Sequence, residues 1–163
     1  MRSLFVALSL TLAGAAYAAP SDAKLDAWKA EAASAEDTLK EVSKLTKKWH
    51  KAAEKDKDTK ELDKELAFHY NSDLAWLRDH GVPTKEPIEL PQHPQHAIAD
   101  QTPLEEDEKP KMEHLRDLLV ELRASEPGKK EQVTGKKLDE YVGILEGRYE
   151  RKQKNYDELK AKK

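Results

Sequence analysis

An all-α fold is predicted: an elongated helical bundle of two antiparallel helix pairs joined by a Pro-rich linker. Three observations predict it. Between residues 25 and 53, apolar side chains fall at Leu25, Trp28, Ala32, Ala35, Leu39, Val42, Trp49 and Ala53, in steps of three and four with one step of seven. Such a heptad stripe keeps one side of a helix turned toward a partner. No stretch shows the alternation of a half-buried strand. Finally, Pro83, Pro87, Pro91 and Pro94 crowd into residues 82–102, where they exclude helix and separate two helical halves.

Residues 1–18 have the form of a signal peptide. Arg2 is the positive n-region, Leu4 to Leu12 the apolar run, and Ala16-Tyr17-Ala18 the small-x-small cleavage site. Residues 19–163 then form a single helical domain, and a periplasmic or secreted location is expected. The first helix starts at Ser21, an N-cap with Asp22 in the first turn. After Ala53 comes a polar stretch in which Asp58 and Glu61 read as a capping box, so residues 19–81 are a helical hairpin or one long helix.

The second helix spans about 59–80 and carries Leu62, Leu66, Phe68, Tyr70, Leu74, Trp76 and Leu77. Gly81 supplies a left-handed cap and Pro83 prevents continuation. Residues 103–163 form a second hairpin. Thr102-Pro103-Leu104-Glu105 restarts helix, Pro110 kinks or restarts it again, and Glu126-Pro127-Gly128 ends it. The last helix begins near Lys130 with Leu138, Tyr141, Leu145, Tyr149, Tyr156 and Leu159 on one side. Its Gly143 and Gly147, one turn apart, are candidates for a close helix approach. Residues 104–128 hold eight acids and four bases, residues 129–163 seven acids and eleven bases, so opposite charge favours this hairpin.

The whole chain has a net charge of −3, with 29 basic and 32 acidic residues mixed in sign. That mixture argues for solvated helix faces and against a nucleic-acid partner. Lys-rich spots such as Lys47-Lys48 are read the same way. The absence of Cys excludes disulfides and thiolate metal ligation. No apolar run in the mature chain reaches the roughly 20 residues of a membrane span.

For metal chemistry, Glu65, His69, Asp73 and His80 recur at steps of four, four and seven on the second helix, and His93 and His96 lie in the linker. Carboxylate and imidazole one turn apart suit a divalent ion, but no second helix offers a matching set. Glu113, His114 and Asp117 are read as a charged helix face. No nucleophile elbow, phosphate loop or Cys–His arrangement occurs, so no enzyme and no cofactor is expected. Leu45-Thr46-Lys47-Lys48 matches the start of the Leu-Thr-x-x-Gln motif of helical periplasmic stress chaperones; Trp49 stands where Gln is required, and no family follows from it.

The functional expectation is therefore an exported, non-enzymatic helical binding or structural protein of a bacterial envelope. It would engage a protein partner or a second copy through the seam of Leu25, Trp28, Leu39, Val42 and Trp49. The alternative is a metal- or small-ion-binding protein using His69, His93 and His96. Cleavage after Ala18 should give a mature chain beginning at Ala19, because Pro20 disfavours the next site. Mass spectrometry of the exported protein is the check, and retention of Arg2 would contradict it.

Overall fold

The computed structural model describes residues 19–83, 106–125 and 131–163. The signal-peptide reading of residues 1–18, most of the Pro-rich linker with His93 and His96, and the turn at Glu126-Pro127-Gly128 lie outside the described residues. Within them are four helices: α1 (Asp22–Ala53), α2 (Lys60–Asp79), α3 (Lys109–Ala124) and α4 (Glu131–Ala161). Every regular element among the described residues is helical.

Local chemistry accounts for the helix ends. The Ser21 hydroxyl accepts from the Lys24 amide at 3.3 Å, capping α1. Residues 54–59 break the first hairpin: Asp56 adopts a positive φ of 49°, and Asp58 Oδ1 accepts from the Lys60 amide at 3.0 Å. The expected Asp58–Glu61 box is replaced by a different clasp. Asp63 accepts from Trp49 Nε1 at 2.9 Å and from Thr59 Oγ1 at 3.0 Å, tying the start of α2 to the end of α1. At the far end of α2, Gly81 has φ 78°, and the Val82 and Gly81 amides donate to the Leu77 and Arg78 carbonyls. This is the Schellman closure, with Val82 buried as its apolar contact. Pro110 stands in the first turn of α3 and so restarts helix there.

The helices run up, down, up, down. Residues 41 and 69, then 49 and 63, meet across α1 and α2. Residues 114 and 140, then 108 and 151, meet across α3 and α4. Both hairpins are antiparallel. The most extensive contact is instead between the first and last helices, α1 and α4, also antiparallel: Asp22 meets Lys163, Glu31 meets Lys152, and His50 meets Asp139. The contacts α1–α2, α2–α3 and α3–α4 close the ring.

Helix lengths shape the molecule. At 1.5 Å per residue α1 is about 48 Å long, while α2 and α3 are about 30 and 24 Å. One apolar core fills the four-helix part: Val42, Leu45 and Trp49 from α1; Leu66, Tyr70, Leu74 and Leu77 from α2; Met112, Leu115, Leu118, Leu119 and Leu122 from α3; Leu138, Tyr141 and Leu145 from α4. Before about residue 31 of α1, α4 is the one described helix alongside. There the two long helices continue as an arm whose seam is Leu25, Trp28 and Ala32. Leu39, central in the seam, is half-buried at the edge of the core.

Net charge is complementary along the α1–α4 contact. Residues 22–37 hold five acids and two bases, and face the end of α4, where residues 148–161 hold five bases and three acids. Residues 38–53 hold five lysines and one acid, and run beside residues 131–147 with four acids and two bases. A parallel pairing would set like against like. The close helix approach lies at Gly135: a Cβ there would meet His50 Cε1 at 2.9 Å and Trp49 Cζ3 at 3.6 Å. Gly143 and Gly147 have nothing within 4 Å of that position, so these two do not mediate an approach within the chain.

Three substitutions separate these roles by urea denaturation. Leu119→Ala, at a fully buried side chain, should cost about 2–5 kcal/mol. Gly143→Ala should stabilise by about 0.5–1 kcal/mol, since helix propensity rises and nothing is displaced. Gly135→Ala should forfeit that gain by pushing the His50 ring away from Asp139. A destabilising Gly143→Ala would contradict the open placement of that residue.

Candidate functional site

Where the apolar core gives way to the arm, charged and aromatic side chains take over the interior. The heptad of α4 that supplies Tyr141 and Leu145 next presents Arg148 and Lys152, at steps of three and four, before Tyr156. These two cations point where apolar knobs would otherwise sit, and each finds an acid on another helix.

Asp73 of α2 is the most buried of these acids, with its residue 4% exposed. Its Oδ2 accepts from the Tyr141 hydroxyl, and its Oδ1 lies 3.6 Å from Arg148 Nη1. The Arg148 guanidinium sits 4.6 Å from the centre of the Trp76 ring. Trp76 stacks on His80 at 4.1 Å, and His80 Nδ1 donates to the Trp76 carbonyl at 2.8 Å. Tyr70 meets Tyr141 edge to face at 5.3 Å. One turn further, Lys152 lies 3.2 Å from Glu31 and 5.3 Å from the centre of the Trp28 ring, and Arg151 pairs with Glu108. The belt thus joins all four helices.

Burial holds the Tyr141 hydroxyl protonated far into the alkaline range, helped by the Asp73 charge and by its own bond to that carboxylate. Tyr70 is pushed up the same way, by burial first and then by the Asp63 charge. Chemically the belt is a set of ion pairs and ring contacts, within which the Trp76 indole N–H is buried without a hydrogen-bond partner. It fixes the axial position of α2 against α4, because sliding either helix by one turn would strand the Asp73 carboxylate in the core.

The sequence-level metal candidates are distributed differently. Asp73 turns inward to Tyr141 and Arg148, His80 lies on Trp76, and Glu65 is exposed. His69 is buried facing α1, with Nε2 3.9 Å from Glu41. Among the described residues no three His, Asp or Glu side chains come together as a metal-binding group. His114 pairs with Glu140 at 2.6 Å across α3 and α4. The seam residues Val42 and Trp49 are enclosed by the bundle, whereas Leu25 and Trp28 line the arm. Tyr141, Arg148 and Lys152 are the members sequence reasoning missed as a site. Their signal is the interruption of the α4 apolar repeat by two cations.

No helix among the described residues is long and apolar enough to cross a membrane. Compared with known proteins, the chain matches no protein-family model, no curated protein and no solved structure.

The tyrosines give a pH signature. Because the folded state holds both protonated while the unfolded state ionises near pH 10, stability is fully present below about pH 10 and falls above it. The slope should approach 1.4 kcal/mol per pH unit for each tyrosine, roughly. Part of the phenolate absorbance should therefore rise together with loss of helical ellipticity, and vanish in the Tyr70→Phe, Tyr141→Phe double variant. Phenolate from both residues with the helices intact would contradict their burial.

Proposed function

We propose that this chain is an exported, non-enzymatic helical binding protein of a bacterial envelope that engages a protein partner through its α1 seam. The observation that supports this reading most is the unequal cover of that seam. In the bundle, Val42 is 0% and Trp49 3% exposed, so neither is available to a partner. In the arm, Leu25 and Ala32 are buried on α4 with no other described helix beside them, while Trp28 between them is half-buried. A two-helix arm with one seam is the arrangement to which a third amphipathic helix adds, by the same knobs-into-holes packing. The signal-peptide form of residues 1–18 supports export.

Photo-cross-linking in cells of the source tests it. A photoreactive residue at Trp28 should yield a discrete adduct, while one at Val42 should yield none. A second copy of the chain in the adduct would identify self-association; a different protein would identify a heterologous partner. Lack of any Trp28 adduct, in a variant that keeps its helicity, would overturn the proposal.

A further inference from the structure

The outward face of α1 carries Lys40, Lys44, Lys47 and Lys51, opposite the core residues Val42, Leu45 and Trp49, with Lys48 on its flank, and all five are exposed. They cover about 17 Å of one helix side. The only acid in residues 38–53 is Glu41, and its carboxylate turns to the α2 side, 3.9 Å from His69. On the α4 side at this level, Asp139 is engaged by His50 at 2.8 Å. Lys40 is held by Glu36 at 2.5 Å. Lys44, Lys47, Lys48 and Lys51 form no ion pair among the described residues. Nearer the start of α1, Asp22 pairs with Lys163 and Glu31 with Lys152 across the helix contact. This face is therefore a positive strip on a chain whose net charge is −3.

We propose that the Lys40–Lys51 face of α1 docks on an anionic lipid bilayer, lying flat on the headgroups without insertion. It is a second surface, separate from the seam. The chemistry favours a bilayer over an acidic peptide or a nucleic acid. The strip is straight and consists of ammonium groups on flexible stems, which act as point charges rather than forks for bidentate recognition. Trp49, the one Trp, Tyr or Phe within residues 40–51, is buried in the core and is not available to stack on bases. A diffuse negative sheet matches such a row; a directed partner needs fixed donors and walls. Each lysine at an anionic membrane surface raises partitioning by about fivefold, and the attraction decays within a Debye length.

Co-sedimentation of the mature chain with vesicles tests this. Binding is expected to vesicles containing phosphatidylglycerol, to weaken as salt rises, and to be absent with pure phosphatidylcholine. Lys44→Glu with Lys48→Glu should reduce binding by roughly a hundredfold or more, because four units of charge change. Lys44→Arg with Lys48→Arg should retain it, as should Lys109→Glu with Lys111→Glu, which makes the same net change on α3. Unaltered helicity and melting are expected, since these side chains are exposed. Equal binding to both vesicle types, no binding to anionic vesicles, retained binding by the Lys44→Glu, Lys48→Glu variant, or tighter binding to duplex DNA than to vesicles would each overturn the proposal.

Discussion

The antiparallel contact between α1 and α4 is the constraint on which the rest of the molecule depends. These are the first and last helices, so their pairing closes the chain on itself and makes α2 and α3 a lid over one part of a longer two-helix rod. The contact combines three terms. An apolar seam supplies most of the burial, the approach at Gly135 lets Trp49 pack against the α4 backbone, and ion pairs such as Glu31 with Lys152 favour the antiparallel direction. Exposed pairs such as Asp22 with Lys163 contribute little individually. Lys152 and Glu31, with side chains 12% and 13% exposed, weigh more, because misregistration would leave two charges buried apart.

The charged belt explains how a chain with 37% apolar residues keeps a defined interior. The apolar core is confined to the four-helix part. Beyond it, Arg148 and Lys152 bury their methylene stems and aromatic contacts while their charged heads meet acids. Replacing such a network by apolar groups is often neutral for stability, whereas removing one partner is costly. Its value here lies in register. Asp73 accepts from one helix position and lies near a second, Tyr141 and Arg148, two turns apart on α4.

Function and fold meet in the division of α1 into two faces and two halves. Its inward face belongs to the bundle in one half and to the arm in the other. Its outward face is acidic or neutralised near the N-terminus and strongly basic from Lys40 to Lys51. The two proposals for this protein therefore concern opposite sides of the same helix.

Helix limits were legible in the residues themselves because their causes are local. Ser21 caps its own helix, Gly81 takes the left-handed conformation that other residues avoid, and Pro110 fits only a first turn. The heptad of α1 likewise specified which face is buried. It did not specify by what. A 3.5-residue stripe accepts any complementary stripe, and α2, as the nearest in sequence, is a less extensive neighbour than α4. The same limit governed the polar residues. Glu65, His69, Asp73 and His80 share spacing on α2, yet Asp73 faces Tyr141 and Arg148 while His69 faces Glu41. Lys47 and Lys48 read as one more mixed-charge run, yet together with Lys44 and Lys51 they form no ion pair among the described residues, while Glu41 lies near His69 and Asp139 meets His50. The sequence by itself determined the helical segments, several of their ends and their apolar faces, through interactions within a few residues. Only the tertiary structure decided which faces meet and which charges are left over, because those depend on contacts between residues up to 141 positions apart.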